Sequence, residues 1–297
     1  MGFRLLLGAR PKQHKTGALA ALANAGYTLR YVNHDDNTEP LFAFSRKDAH
    51  RNIQVLDAID EMRVSKEGNI VSTGAQGLKS WNTLMSAMDR WPVDGSDPAK
   101  WTKRDVLCID SLTELAKGLA RRQQAMEGRE LKRYSWTDYD RVQKQIDALL
   151  VLLKGRLVNA SLIVIAHLQV IGPDFSTGDT EDEALRDEIL RQKLRGADNI
   201  PWQLAPISFG KAQAKTLAGH FSGSLYCKTI DGRGRVICTV PEDGFDAGVP
   251  ISGLPKELPV ATGLATVFDA ITGGAGVGKT AAARPAAAPR PAVPVKR

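Results

Sequence analysis

The fold is decided near the N-terminus, by the stretch FRLLLGARPKQHKTGALAALANAGYTLRYVNH at residues 3–34. It opens with FRLLL, a short apolar run that is typical of a buried strand. Residues 16–26, rich in Ala and Leu, predict a helix that closes on Gly26, because glycine readily takes the left-handed conformation after a helix. TLRYVNH at 28–34 then predicts a second strand. A strand, a helix and a strand in this order predict a parallel sheet.

The alternation continues along the chain. We predict a helix over 77–91, a buried strand over 105–110 (DVLCID), a helix over 138–158 and a strand over 161–167 (SLIVIAH). The third of these, over 138–158, has one apolar face at helical spacing, made by Val142, Ile146, Leu149, Leu150, Leu153 and Leu157. The composition of residues 172–199 predicts an acidic, mobile loop with a short helix. A late β-hairpin is predicted by the two segments on either side of 231–234, SLYCKTI and RVICTVP.

These patterns predict one α/β domain over residues 1–272, with a mostly parallel sheet flanked by helices. From residue 273, Ala and Pro dominate, which predicts a disordered basic tail over 273–297. The net charge is +7, but five basic residues and no acid follow Thr272, which leaves +2 for residues 1–270. A body with so small an excess neither requires nor excludes a nucleic-acid partner.

Composition sets the compartment that we expect. No run approaches the roughly 18 apolar residues that a membrane helix needs, so no membrane contact is expected. The N-terminal residues carry no small-residue cleavage site, which argues against a secretory signal. Cys108, Cys227 and Cys238 are odd in number and form no close pair. That pattern fits a reducing cytoplasm and argues against a disulfide framework or a zinc site.

Two segments compete for the role of a phosphate-binding loop. GGAGVGKT at Gly273–Thr280 fits the pattern G-x-x-x-x-G-K-[ST] in every letter. Such a loop works between a buried strand and a helix, where backbone N–H groups and the helix N-terminus face the phosphates. Here the preceding residues predict a helix, and Pro285 soon follows, so a second helix could not continue. We therefore interpret this match as coincidental.

The N-terminal segment lies between a strand and a helix, as a phosphate-binding loop requires, but its residues depart from the motif. GARPKQHKT follows the first strand and precedes a helix, with Lys15 and Thr16 in register with the motif. Ala9 replaces the first glycine, with Gly8 one place earlier, and His14 replaces the second. The alternative is an ordinary basic turn in which Thr16 caps the helix.

Other polar residues converge on the same edge. Asp110 and Ser111 end a strand and enter a helix, where such enzymes keep a carboxylate near Mg²⁺, although Asp110 could instead cap that helix. His167 ends a later strand, where ligands sit in parallel α/β sheets, although it could be structural. The second strand is followed by Asp35, Asp36 and Glu39, which could equally be a solvated turn.

This layout resembles the RecA-like P-loop ATPase core, and is most similar to the small phage-encoded RecA-like ATPases of the Sak group, associated with recombination and single-strand annealing. The resemblance covers roughly residues 3–240 and rests on GARPKQHKT, LRYVNHDDNTE, DVLCIDSLTEL, YSWTDYDRV, LIVIAH and APISFGKAQAKTLAGHF. It implies ATP and Mg²⁺ as cofactors, single-stranded DNA as partner, a homo-oligomer, a single-strand-binding protein as a further partner, and the cytoplasm of a host cell as location.

The resemblance also implies roles for individual residues. Lys15 would contact the β- and γ-phosphates, while Thr16 and Asp110, with Ser111 adjacent, would hold Mg²⁺. His167 would sense the γ-phosphate, and one of Asp35, Asp36 or Glu39 would polarise the attacking water, with no choice made among them. Gly8, Ala9 and His14 would line the nucleotide, and the ring of His14 would stand where backbone approaches phosphate in that family.

DNA contact has one candidate segment. Residues 121–144 hold seven basic and four acidic residues with Tyr134, Trp136 and Tyr139 interleaved, a mix that suits stacking and phosphate contacts but also a solvated helix face. The acidic loop after His167 argues against strong DNA binding there. We expect an ATP-dependent recombination protein; the alternatives are a RecA-fold adaptor without hydrolysis and, less favoured because no lid or acceptor site is evident, a nucleotide kinase.

Overall fold

The computed structural model of the chain describes residues 2–272 except for residues 11, 67, 69, 73–77, 131, 156–157, 172–202, 208–216, 231, 233 and 243–244. The predicted acidic loop at 172–199 and the predicted tail at 273–297, with its GGAGVGKT motif, therefore lie outside the described residues. The same holds for Leu157 on the predicted apolar helix face.

Strands and helices alternate through most of the described chain. The strands are β1 Arg4–Ala9, β2 Thr28–Asn33, β3 Ile53–Asp57, β4 Met62–Val64, β5 Ile70–Ser72, β6 Asp105–Asp110, β7 Ser161–Ile171, β8 Gln203–Ile207, β9 Gly223–Ile230, β10 Gly234–Cys238 and β11 Glu257–Pro259. The α-helices are α1 Lys15–Ala18, α2 Ala20–Asn24, α3 Glu39–Phe44, α4 Ser80–Asp89, α5 Leu112–Met126, α6 Trp136–Lys154 and α7 Val260–Thr272.

One mixed sheet organises the domain, in the order β11-β10-β9-β1-β7-β6-β2-β3. The strands from β9 to β3 in this order run parallel to one another, whereas β10 and β11 continue the sheet antiparallel and β8 pairs antiparallel with the outer part of β7. The predicted mostly parallel sheet and the late hairpin, β9 with β10, are confirmed. Two strands outside this sheet, β4 and β5, form a separate hairpin.

Helices cover both faces because neighbouring residues of the central strands point to opposite sides. In β6, Val106 and Cys108 pack with α1, α2 and α7, whereas Leu107 and Ile109 pack with α4, α5 and α6. The described part of the predicted apolar face of α6 is buried as expected. Gly26, at φ 84°, follows α2 in the left-handed conformation that closes this helix. No helix among the described residues is long and apolar enough to cross a membrane.

Two strands depart from the sequence prediction. We expected β7 to end at His167, but it continues to Ile171 because Gln203–Ile207 pairs with this extension. Nothing local to residues 161–171 signals such a distant partner. β3 was not predicted, since its short run IQVLD is an edge strand of intermediate burial and lacks a clear apolar pattern.

Candidate functional site

The carboxyl ends of four parallel strands meet at one edge of the sheet. The register pairs Ala9 of β1 with His167 of β7, and Asn33 of β2 with Asp110 of β6. The segments that follow β1, β2 and β6 therefore leave the sheet side by side, with His167 between them. Ligands of parallel α/β folds bind at this edge.

The loop after β1 delivers Lys15 and Thr16 to the start of α1. His14 precedes α1 at φ 56° and ψ 32°, and Lys12 also has a positive φ of 65°. These are left-handed conformations that glycine adopts more easily than a side-chain-bearing residue. The N-cap position of α1 belongs to His14, which makes no side-chain cap, so the alternative in which Thr16 caps this helix is wrong.

The structure accommodates the ring of His14 beside helix α3. It packs edge-on against Phe44 of α3, with 5.6 Å between ring centroids. Phe44 also covers Gly17, where an added Cβ would lie 2.9 Å from the Phe44 ring. Burial, and then the charge of Arg235, lowers the pKa of His14, which favours a neutral ring beside the loop. The ring thus contacts a neighbouring helix, rather than any described group of the site.

Thr16 and Asp110 form the buried centre of the site. The Thr16 hydroxyl donates to Asp110 Oδ2 at 2.6 Å, and the Tyr31 hydroxyl donates to the same oxygen at 2.9 Å. Asp110 is fully buried, and its Oδ1 has no hydrogen-bond partner. Burial, followed by the charge of Asp35, raises the pKa of Asp110, and Lys15 acts in the opposite sense. A buried oxygen without a partner is costly, so Oδ1 is suited to a donor or a cation.

Magnesium is the expected cofactor, and the oxygen groups of Thr16 and Asp110 suit it. Mg²⁺ prefers oxygen ligands, keeps several waters and is held through one or two carboxylates together with substrate phosphates. Thr16 and Asp110 supply a hydroxyl and a carboxylate oxygen at one point. No group of three or more His, Cys, Asp or Glu in the described part of the chain is arranged to hold a metal alone. The ion would therefore take its remaining ligands from water and phosphate.

Asp35 joins the remaining polar groups into one network. Its Oδ1 accepts from the Ser111 hydroxyl at 2.7 Å, and its Oδ2 lies 3.2 Å from His167 Nε2 and 4.0 Å from Lys15 Nζ. Burial raises the pKa of Asp35, but the hydrogen bonds from His167 and Ser111 and the charge of Lys15 outweigh it, so the pKa is lowered overall. Asp35 is thus held ionised.

His167 has two competing partners at one nitrogen. Its Nε2 lies 3.4 Å from Lys15 Nζ as well as 3.2 Å from Asp35 Oδ2. An ammonium only donates and a carboxylate only accepts, so a neutral ring uses Nε2 toward one of them at a time. Whatever draws Lys15 away from His167 favours the tautomer that donates to Asp35. His167 therefore couples the loop after β1 to the carboxylate after β2.

A cavity of about 310 Å³ is lined by Asp35 and His167, but not by Lys15. Its ionisable lining residues are Asp35, Asp36, Asp60, Glu114 and Arg121, together with His34 and His167. Arg121 forms an ion pair with Asp60 at 2.8 Å. Asp35 consequently borders both the Lys15 side of the site and a space large enough for several waters.

The structure brings together Lys15, Thr16, Asp35, Asp110, Ser111 and His167. Ser111, not Asp110, is the N-cap of α5, so the alternative role of Asp110 as a cap is wrong. Gly8 and Ala9 lie inside β1, paired with strands on both sides, and not in the loop.

The other candidate acids stand apart from this network. Asp36 is exposed, with φ 53°, and lines the cavity. Glu39 is exposed in the first turn of α3. Among the described contacts, neither side chain touches Lys15 or Thr16. Asp35 is therefore the carboxylate that the fold places in the network.

Sequence reasoning missed two residues that support this centre. Tyr31 holds Asp110, and Thr113 accepts from the backbone N–H of His167 at 3.2 Å. Tyr31 sits on the strand next to β6, paired with Cys108, so a tyrosine on a buried strand, whose hydroxyl needs a partner, was the available signal. For Thr113, position in α5 gives no such signal.

Compared with known proteins, this chain matches no protein family and no curated protein.

Proposed function

We propose that the chain binds ATP with Mg²⁺ at Lys15, Thr16 and Asp110, as a RecA-like P-loop ATPase. The observation that carries this proposal is the Asp110 carboxylate, which holds Thr16 through one oxygen and keeps the other buried without a partner. Beside it stands Lys15, with only 8% of its surface exposed. A hydroxyl, a carboxylate and an ammonium at one strand edge are the groups that P-loop enzymes use for a metal-bound triphosphate.

Each of these residues has a distinct task in binding. The Lys15 ammonium offers its donors to the β- and γ-phosphate oxygens, and the Thr16 hydroxyl and Asp110 hold Mg²⁺. The ion, when bound, neutralises charge on the phosphates. The Thr16 hydroxyl can donate its hydrogen to Asp110 and still offer a lone pair to a cation, and Tyr31 also holds the carboxylate.

For hydrolysis, Asp35 is the residue that we assign to the attacking water. It is ionised at neutral pH, since its pKa is lowered, and it borders a cavity with room for water. A carboxylate in this position orients a water and accepts its proton. His167, within hydrogen-bond reach of both Lys15 and Asp35, links occupancy of the phosphate site to that base.

We place this ATPase in phage-type recombination on single-stranded DNA, as a cytoplasmic homo-oligomer, with a single-strand-binding protein as a further partner. The support is the resemblance in sequence and the position of His167. β7 continues for four residues beyond His167, so the residue beside Lys15 shares a strand with the segment that leads away from the site. Nucleotide state could reach a DNA-contacting segment through that strand.

One observation favours the second candidate, a RecA-fold adaptor that does not hydrolyse ATP. Neither loop glycine of the motif is present, and Lys12 and His14 occupy left-handed conformations that disfavour side-chain-bearing residues. A loop with this backbone cost has less freedom to close on phosphate. In that case DNA binding would persist without turnover.

The test measures binding and turnover separately. A fluorescent ATP analogue is titrated into wild type, Asp110→Asn and Asp35→Asn, with and without Mg²⁺, and phosphate release is followed with and without single-stranded DNA. We expect Asp110→Asn to lose the Mg²⁺-dependent part of the affinity, and Asp35→Asn to bind normally but lose turnover by about 10²-fold or more. Asp48→Asn, an exposed change in the short helix after α3, is the matched control.

Asp36→Asn and Glu39→Gln complete the set, because the sequence left these acids as alternatives to Asp35. Both should retain turnover. If one of them lost turnover and Asp35→Asn kept it, the base would be reassigned. Equal affinity with and without Mg²⁺ in wild type would contradict the metal site, and DNA binding without any turnover would establish the adaptor.

A further inference from the structure

An aromatic cluster lies where α6 begins: Tyr134 and Tyr139 are half-buried against the core, and Trp136 stands outside it. Trp136, the first residue of α6, is 90% exposed, and its ring lies 6.2 Å from that of Tyr139. Tyr139 in turn packs edge-on against Tyr134 at 6.2 Å. Trp136 is not needed to begin the helix, because Ser135 and Asp138 form the capping box. An indole left almost wholly in water adds little to the burial that stabilises the fold, and its faces are open to a ligand.

The charges around this cluster are unevenly neutralised. Ion pairs neutralise the cations on either side of the aromatic cluster. These pairs are Arg129 with Glu127 and Asp138, Arg141 with Glu127, and Lys144 with Asp140. Lys132 and Arg133, directly before the aromatic residues, are exposed and form no ion pair with any described residue. The surface made by Lys132, Arg133, Tyr134, Trp136 and Tyr139, called here the Trp136 surface, therefore presents a local positive excess beside one exposed indole and two half-buried tyrosines.

Hydrogen bonds and buried side chains fix the backbone that carries the Trp136 surface. Asp138 is buried and binds Arg129 together with the Ser135 hydroxyl and backbone N–H. The Gln124 amide of α5 donates to the Lys132 carbonyl at 2.9 Å. Val142 and Ile146 anchor the following turns of α6 in the core. Rings and cations on such a support are preorganised, which lowers the entropic cost of binding.

Helix α5 connects this surface to the nucleotide site. Its N-cap, Ser111, donates to Asp35. Farther along α5, Arg121 lines both the cavity at Asp35 and a second cavity, which it shares with Gln124 and Glu130. The Trp136 surface follows directly after these residues in the chain. Helix α5 therefore runs from Ser111, beside the candidate base, to Gln124, which holds the Lys132 carbonyl of this surface.

We propose that the Trp136 surface binds single-stranded DNA, with bases stacked on Trp136 and Tyr139 and phosphates held by Lys132 and Arg133. An exposed indole with a partly exposed tyrosine beside it, next to cations, is a combination that single-strand-binding surfaces use. The unpaired charge favours a nucleic acid over a protein partner. The inference rests on the proposed function and deepens it, because it narrows the candidate DNA-contacting segment 121–144 to one surface.

The test uses the full chain and a fluorescein-labelled oligothymidylate longer than the ~16 nucleotides that one such site covers at most. We expect Trp136→Ala to weaken binding by about 5- to 150-fold, the range for loss of one stacked base, and Trp136→Phe to retain most of the affinity. Lys132→Gln with Arg133→Gln should reduce the slope of log affinity against log salt by about 1.4, at about 0.7 for each phosphate contact. Lys144→Gln with Lys100→Gln removes the same charge from paired positions as a control.

Outcomes for this surface and for the nucleotide site are separable. Trp136 is exposed, so its truncation should leave the thermal melt and the affinity for the ATP analogue unchanged. Wild-type DNA affinity and salt slope in Trp136→Ala and in the double Gln variant would overturn the inference, even if nucleotide binding is intact. Conversely, loss of DNA binding in these variants alone would support it, even if no nucleotide bound to wild type.

Discussion

A buried histidine beside the candidate site makes folding stability depend on pH in a predictable way. His34 Nδ1 lies 3.1 Å from the Ala58 carbonyl oxygen and 2.9 Å from Ser80 Oγ, while Nε2 is buried without a partner. Because a carbonyl only accepts, Nδ1 carries the hydrogen of a neutral ring. Burial lowers the pKa of His34 to about 4, against the weaker opposite effects of Ala58, Asp35 and Asp60.

The sign and size of the effect follow from linkage. Above pH ~6.5 the ring is neutral in both states, so the stability is fully present. As pH falls from ~6.5 toward about 4, the pKa of His34 in the folded protein, the His34 ring takes up a proton in the unfolded chain but stays neutral in the folded protein. The free energy of unfolding then decreases by up to ~3.4 kcal/mol, of which ~1.8 kcal/mol is lost between pH 7 and pH 5.

Urea denaturation of wild type and His34→Gln at pH 7 and pH 5 measures this contribution. All carboxylates and the other histidines are common to both proteins, so their contributions cancel in the difference. We expect the wild type to lose ~1.8 kcal/mol more than His34→Gln over this interval. Parallel pH profiles for the two proteins would refute the reasoning, because His34 would then titrate alike in the folded and unfolded states.

Two further predictions concern packing, both measured as the free energy of unfolding in urea. Gly8→Val should cost ~1–3 kcal/mol, since an added Cβ would lie 2.8 Å from Leu168 and 3.1 Å from Phe245; an unchanged stability would show that these side chains yield freely. Phe268→Ala should cost ~3–5 kcal/mol, because its buried ring fills the core between α7 and the sheet; a loss below ~1 kcal/mol would contradict that packing.

Much of the sheet could be predicted because its strands carry local signals. The apolar runs at β1, β6 and the first part of β7 are continuous, as expected of parallel strands buried on both faces. The edge strand β3 and the pairing of β7 with β8 could not be predicted, because the first is half-exposed and the second depends on residues far apart in the chain.

The candidate site was predictable to the same degree. Register with the phosphate-loop motif indicated Lys15 and Thr16, and polar residues at strand ends indicated Asp110 and His167, since parallel strands bring their carboxyl ends together. Three acids after β2 could not be ranked from sequence, because the choice depends on which backbone turn follows the strand. The fold places Asp35 in contact with Ser111 and His167 and leaves Asp36 and Glu39 outside this network.

The account rests on the nucleotide site lying at GARPKQHKT and not at the better-matching GGAGVGKT. Affinity for the ATP analogue in wild type, Lys15→Ala and Lys279→Ala tests this choice directly. We predict that Lys15→Ala loses ~10- to 150-fold in affinity, as expected for lost hydrogen bonds to a charged group, and that Lys279→Ala binds as wild type does. Loss of binding in Lys279→Ala with full affinity in Lys15→Ala would contradict the account.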